Sequence, residues 1–381
     1  MKIEEFIAGR YAKCYQYDCF VPELINHDWT WESQSLTLAF EKAVKNLSAL
    51  DSCAQFVPDL NLFIRMHIVR EASASSRIEG TNTEMDEAVL PEGAVREERR
   101  NDWRKVNNYV MAMGLSLKEL EHLPLSIRLL RGAHECLMQG VRGEAKQPGE
   151  VRRSQNWIGG TSIATARFIP PAPEYLPDLL SDLEMFWHND KIAVPNLIRC
   201  AISHYQFETI HPFLDGNGRV GRLLIPFYLI SKGELQTPSL YISSILERHR
   251  EEYYEALSRV RSANDLIGWV LFFLDAVSET AKTGCEKFKR IFALRDDMQV
   301  QISRMPNVAL AQSAIRALYS EPRITINRLA VLLGCDYQTA NRLVRRFEAN
   351  KIVVCSTDYS PTLNAITRRC ACVNYHITNI C

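Results

Sequence analysis

His211-Pro212-Phe213-Leu214-Asp215-Gly216-Asn217-Gly218-Arg219-Val220-Gly221-Arg222 places an imidazole, a carboxylate, a glycine-rich turn and two guanidiniums within twelve residues. The apolar run Leu223 to Ile230 follows directly, so the stretch reads as a loop entering a buried helix. Gly216 and Gly218 remove side chains where the backbone must turn and approach a ligand. The first N–H groups of the following helix lack intrahelical partners, and the helix dipole favours an anion there. Asn217 can add an amide donor. Arg219 and Arg222 are three residues apart and share a helix face, where each can grip phosphate oxygens bidentately. Asp215 is a hard oxygen ligand suited to Mg²⁺ on phosphates. His211 stands just before the turn, where an imidazole can take a proton from an attacking hydroxyl. A polar loop carrying a solvated Arg pair is the plainer alternative. The complementarity of the parts argues against it.

Composition narrows the function classes. The chain has 381 residues, enough for two or three domains, and 46% are hydrophobic. Lys+Arg and Asp+Glu both number 45, so there is no global basic excess for wrapping nucleic acid, although a local patch is allowed. No apolar run approaches a membrane span, and the N-terminal residues lack the basic-then-apolar order of a signal peptide. The eleven cysteines are scattered without a C-x-x-C pair. They read as reduced thiols, which points to the cytoplasm and to no membrane partner. Cys370, Cys372 and His376 do not have a usual zinc-ligand spacing.

The opening stretch resembles the Fic motif, H-x-F-x-D/E-G-N-G-R-x-x-R, at every specified position: His211, Phe213, Asp215, Gly216, Asn217, Gly218, Arg219 and Arg222. The resemblance implies a mainly α fold. Its core would be a Fic-type helical bundle with a small β-hairpin flap. It further implies transfer of AMP from ATP to a Ser, Thr or Tyr hydroxyl of a protein target, with self-modification. ATP would be the substrate and Mg²⁺ the metal. His211 would be the base and Asp215 the Mg²⁺ ligand, and Gly216 through Arg222, with Val220 and Gly221 among them, would line the nucleotide. Kinase-like relatives alter the Gly-Arg portion, which is intact here.

Upstream, a helix is expected from about 58 to 80, opening at Pro58-Asp59 and closing at Gly80. Its last turns are crowded with small residues, and Glu79 projects where the dipole disfavours a carboxylate unless a cation is near. By spacing alone Glu79 is a surface residue beside a glycine cap. Ser75-Ser76-Arg77-Ile78-Glu79-Gly80 is also similar to the inhibitory motif of Fic proteins, S/T-x-x-x-E-G/N. That resemblance implies that Glu79 pairs with Arg222 and that Ser75 holds the helix in place. If Arg222 holds the ATP γ-phosphate, inhibition is competition for one guanidinium. The same site run backwards, with Glu79 orienting water, would remove AMP.

Tyr11, Tyr15, Tyr17, Phe20 and Pro22 suggest an irregular aromatic lead-in at the N-terminus, and most of the remaining chain reads as helices. Val151 to Pro173 has Gly159-Gly160 between extended segments and is expected to form a hairpin, the flap that the resemblance implies. His204 lies on an apolar helix face and reads as a packed histidine. The segment Tyr241 to Tyr254 resembles the one that borders the nucleotide in relatives, which brings His249 into the candidate site. From about 306, Ala309 to Tyr319, Thr325 to Cys335 and Asp336 to Phe347 read as helices with a tight Gly334 turn. That is a helix-turn-helix with room for a β wing, its return strand near Thr367-Arg368-Arg369. Gln338, Asn341, Arg342, Arg345 and Arg346 suit phosphates and base edges, so DNA is a further partner class, and a DNA-binding regulator with a nucleotide sensor is the rival function. The terminal domains offer surfaces for a homodimer. The expected divisions are 1–100, 101–278, a connector at 279–305, and 306–381.

Overall fold

The structure is a computed structural model that describes residues 1–14, 16–31, 33–55, 60–81, 88, 92–141, 146–320, 323–356 and 371–373. The chain forms two compact units, one of residues 1–52 and 67–282, the other of 53–66 and 283–381. The fold is mainly helical, as expected. The helices are α1 (Gln34–Gln55), α2 (Leu60–Ile78), α3 (Arg100–Leu120), α4 (Ile127–Met138), α5 (Leu176–His188), α6 (Asn196–Ile210), α7 (Asn217–Ser231), α8 (Ser243–Arg248), α9 (Arg250–Ala263), α10 (Leu266–Ser303), α11 (Val308–Ser320), α12 (Ile326–Leu333) and α13 (Tyr337–Ala349).

In the first unit, α6 and α7 form the centre. Every α6 residue from Leu197 to Ile210 is buried, as are Asn217 and Arg219 through Leu229 of α7. A helix buried all round needs neighbours on every side. Helices α5 and α7 pack on α6, and α3 and α4 pack on α7. Trp269 of α10 closes one side, its indole N–H donating to Ala201 O at 2.8 Å. The loop between α6 and α7 is therefore carried by the two most enclosed helices of the unit, which limits its freedom to shift.

Three local features depart from the sequence reading. The N-terminal residues form an antiparallel hairpin, β1 (Gly9–Cys14) with β2 (Tyr17–Pro22), where an irregular lead-in is expected. Only β2 buries a continuous run, Phe20 to Pro22 with Cys19, so the alternation that betrays a strand is weak. Pairing of the strands brings the Cα atoms of Cys14 and Cys19 to 6.0 Å, and the two are joined in a disulfide rather than standing as reduced thiols. The expected flap hairpin is closed by one antiparallel bridge, Ile158 with Phe168. Gly159 and Gly160, at φ 71° and 72°, and a single tight turn at Ile163–Thr165 use up the chain that a longer ladder would need.

The second unit contains α11, β3 (Arg323–Thr325), α12, α13, β4 (Val354–Ser356) and β5 (Ala371–Val373), with sheet order β3-β5-β4. Thr325 caps α12 by accepting the Arg328 N–H, and Gly334 ends it in the left-handed region. Asp336 then caps α13 through the Thr339 N–H at 2.9 Å. Ile315, Leu318, Leu329, Leu343 and Phe347 fill the core between the helices. Pro58-Asp59, Thr367 to Cys370 and His376 lie outside the described residues.

Trp269→Ala is expected to lower stability by about 3–5 kcal/mol, because it leaves a cavity beside α6 and removes the indole hydrogen bond to the Ala201 carbonyl. Denaturant unfolding followed by circular dichroism checks this. A loss under about 1 kcal/mol would contradict the central place given to α6.

Candidate active site

The loop turns twice against the grain of an L-chain. His211 ends α6 at φ 50° and ψ 59°, and Gly216 opens α7 at φ 76°. A non-glycine residue in the left-handed region persists only where its surroundings hold it. The His211 carbonyl accepts from Arg152 Nε at 2.9 Å and from Asn156 Nδ2 at 3.2 Å. Arg152 is buried and also donates to the carbonyls of Ser154, Ile210 and Pro171. Burial lowers its pKa to about 10, which still leaves it charged at neutral pH. Asn156 reaches Phe213 O as well, at 2.8 Å. His134 stacks on the Phe213 ring at 3.9 Å and bonds Asp215 O at 3.0 Å, while its Nδ1 accepts the Gly149 N–H. Arg152, Asn156 and His134 thus fix the loop from outside it. The sequence singled out none of the three for this work, since each meets the loop through backbone carbonyls, and such contacts leave no spacing pattern.

The imidazole of His211 is in the form a base requires. Its Nδ1 lies 3.2 Å from Glu208 O, so the N–H there points at a carbonyl and Nε2 keeps its lone pair. Burial pushes its pKa down to about 4 against the pull of Glu208 O, so the ring is neutral at pH 7. The Val220 N–H is the first amide of α7 to find a helical acceptor, Gly216 O. The N–H groups of Asn217, Gly218 and Arg219 therefore open the helix without one, which suits an anion.

Glu79 occupies the face where the two guanidiniums converge. Its Oε1 accepts from Arg222 Nη2 at 2.7 Å and its Oε2 from Arg219 Nε at 2.9 Å. The expected partner is Arg222 alone, so Arg219 is an addition. Ser75 Oγ accepts from Arg222 Nε at 2.7 Å and Ser75 O from Nη2 at 2.9 Å. Arg222 is 1% exposed and Arg219 4%. Two buried cations so close need a counter-ion. Three carboxylates lie within its electrostatic reach: Glu71, Glu79 and Glu208. Burial pushes Glu71 and Glu208 up to about 7. Burial would raise Glu79 too, but Arg219 and Arg222 outweigh it and hold its carboxyl below the usual range. Glu79 is thus the carboxylate of the three that stays fully ionised at neutral pH. Gly218 makes room for it, because a Cβ there would stand 2.7 Å from Glu79 Oε1.

Helix α2 is tied down beyond Glu79. Glu71 accepts the Ser243 N–H at 3.0 Å and its hydroxyl, and Tyr109 OH lies 3.4 Å away. Arg77 forms a bidentate pair with Glu247 at 2.6 and 2.8 Å. His67 stacks on Tyr241.

Four expected roles change. The Asn217 side chain is spent on the loop itself: Oδ1 accepts Phe213 N–H and Nδ2 donates to Phe213 O, both at 2.8 Å. It braces the turn instead of offering a free donor. His249 pairs with Glu252 at 3.2 Å, and no contact among the described residues brings it to the loop. Val220 is enclosed in the core, and a Cβ on Gly221 would strike Glu208, so both serve packing. His204 is packed as expected, between Gly221 O and Tyr253 OH. Asp215 is exposed, with Oδ1 bonded to the Gly216 N–H.

Residues 37–118 match the Fic/DOC family N-terminal model and residues 124–229 the Fic/DOC family model. Protein adenylyltransferase fic-1 of Caenorhabditis briggsae is 30% identical over 186 residues, 48% of this chain and 33% of that relative. Protein adenylyltransferase Fic of Culex quinquefasciatus is 35% identical over 133 residues, 35% of this chain and 24% of that one. The chain thus spans about a third or less of the curated relatives it matches. Among solved structures, a Fic family protein from Desulfovibrio desulfuricans aligns with TM-score 0.58 at 21% identity, covering 89% of this chain and 99% of that one. Fic-1 (aa134 - 508) from C. elegans aligns with TM-score 0.51 at 20% identity, covering 69% and 74%. These likenesses are to the fold. The helical core, the two matched segments and the His211 to Arg222 loop lead to one assignment: residues 37–118 and 124–229 are the N-terminal and Fic segments of the Fic/DOC family.

Proposed function

We infer that the chain is a protein adenylyltransferase restrained by its own α2. The observation that carries this reading is the double ion pair of Glu79 with Arg219 and Arg222. The names of the relatives, protein adenylyltransferase, support the activity. The residues present fit a triphosphate. Arg219 Nη1 is a buried donor without a partner among the described residues, and the α7 N-terminus offers further N–H groups. In the reaction, a target Ser, Thr or Tyr hydroxyl attacks the α-phosphorus of ATP. Its proton passes to His211 Nε2 as the new P–O bond forms, the bond to the β-phosphate oxygen breaks, and pyrophosphate leaves. The α7 amides hold the α-phosphate, and Arg219 and Arg222 hold the outer phosphates. Catalysis here is mostly positioning and charge stabilisation. Asp215 is an exposed carboxylate suited to holding Mg²⁺, which neutralises phosphate charge when bound.

Glu79 opposes this by occupying the guanidiniums that the outer phosphates need. A triphosphate then meets a carboxylate where it expects two cations, and its α-phosphate sits out of line for attack. The control is a shift in populations, set by the relative affinity of Arg222 for Glu79 and for phosphate. The anchors at Glu71, Ser75 and Arg77 hold α2 in the restrained state. The target protein supplies its hydroxyl from outside the chain, with self-modification as the accessible assay. For residues 306–381 we infer a winged helix-turn-helix, supported by the sheet order β3-β5-β4 around α12 and α13.

Glu79→Gly is expected to raise self-labelling from radiolabelled ATP about tenfold or more, equivalent to about 1.4 kcal/mol. Arg77→Ala, which cuts an anchor remote from the loop, is expected to raise it by less. Adding His211→Ala to Glu79→Gly should remove the label. Unchanged labelling in Glu79→Gly would end the restraint reading, and loss of AMP release from a modified target in that variant would favour the reverse reaction.

The His211 ring signal, identified by its absence in His211→Ala, is expected to titrate near pH 4 and not near 6.5. Its folded pKa is lowered. The ring therefore stays neutral as pH falls through the ordinary histidine range, and protonates only well below it. A midpoint near 6.5 in an NMR titration would contradict the buried base.

A further inference from the structure

Helix α13 carries a surface that nucleotide transfer does not use. Ala340, Leu343, Val344 and Phe347 face the core of the second unit. Gln338, Asn341, Arg342 and Arg345 follow one another at i, i+3, i+4 and i+7, so they form a single stripe on the outer side, with Arg346 beside it. Arg342, Arg345 and Arg346 are exposed, and none takes part in an ion pair among the described residues. The acid on this helix's leading edge, Asp336, is engaged in capping through Thr339.

The wider charge distribution points the same way. The chain as a whole is neutral, with 45 basic and 45 acidic residues. Residues 306–381 hold nine Lys/Arg against four Asp/Glu, a net +5 that the rest of the chain must offset. A neutral protein that concentrates its positive charge in one unit, and lines an exposed helix with it, is arranged for a polyanion.

We propose that α13 is a recognition helix that reads duplex DNA in the major groove. Helix diameter and groove width match at about 12 Å. The short turn at Gly334 to Asp336 joins α12 to α13 and the two helices pack together, the connectivity of a motif whose second helix enters the groove while the first crosses the backbone. Gln338 and Asn341 have the paired donor and acceptor that adenine presents a match for, and Arg342 the fork that suits guanine. Arg345 and Arg346 lie further along the helix and engage phosphates, with the exposed Tyr337 hydroxyl a further phosphate donor at its start. Double-stranded RNA is a poor fit, because its A-form major groove is too deep and narrow for a helix. The same side chains that set affinity here make it depend on salt.

The test is fluorescence anisotropy of the full chain with a labelled mixed-sequence DNA duplex of about 30 base pairs, between about 50 and 200 mM salt. DNA binding that weakens steeply with salt is expected. Arg342→Ala with Arg345→Ala should lower affinity at least tenfold and flatten the log–log salt slope by about 2, one unit for each lost phosphate or base-edge cation. A duplex RNA of the same sequence should bind at least tenfold more weakly. The double variant's melting temperature and circular dichroism report whether it is folded. Gln338→Ala with Asn341→Ala, which leaves every charge in place, should keep the salt slope and reduce discrimination among a pool of duplex sequences. No binding by the wild type at low salt, equal binding of DNA and RNA duplexes, or a folded Arg342→Ala, Arg345→Ala variant with unchanged affinity would overturn the proposal.

Discussion

One carboxylate between two buried guanidiniums sets the logic of this molecule. Arg219 and Arg222 are nearly inaccessible, yet both remain charged, and a buried cation without a partner is costly. Helix α7 can therefore carry them only while something anionic is present. Glu79 supplies that anion from within the chain, at 2.7 and 2.9 Å. A nucleotide's phosphates are the same kind of partner arriving from outside. On the proposed reading, the requirement that would let the site bind phosphate would also leave it open to restraint by Glu79.

The rest of the first unit serves this exchange. Two enclosed helices, α6 and α7, hold the loop between them, and Arg152, Asn156 and His134 clamp its carbonyls from neighbouring segments. The result is a His211 ring held in a strained backbone turn, neutral, with one nitrogen tied to Glu208 O. Helix α2 is fastened independently by Glu71 at Ser243 and Arg77 at Glu247. Those two contacts lie apart from the phosphate donors. On the proposed reading, they would let the strength of restraint vary without changing the chemistry, because they hold α2 through groups outside the His211 to Arg222 loop.

Much of the site was legible because its residues are adjacent in the chain. His211 through Arg222 form one run, and loop-plus-helix periodicity orders them. Glu79 was legible as a carboxylate in an unfavourable place at a helix end, once the likeness of its neighbourhood to a known motif named the partner. Contacts made through backbone carbonyls were not. Arg152 appears in sequence as one of two arginines in an extended segment, and nothing there indicates a buried guanidinium bonded to four carbonyls. Asn217 misled for a related reason: its amide suits a ligand in composition, but in space Phe213's own N–H and C=O are nearer. The β1–β2 hairpin was missed because only one of its strands buries a run of residues. The flap shrank to one bridge because two glycines and a tight turn consumed its length.

On the proposed reading, Glu79 and the terminal phosphate compete for the same guanidinium. This competition is tested most directly by calorimetric affinities of ATP and ADP, each measured with the wild type and with Glu79→Gly. Removing Glu79 is expected to tighten ATP about tenfold more than ADP, a coupling of about 1.4 kcal/mol. Equal gains for the two nucleotides, or no gain for either, would contradict it.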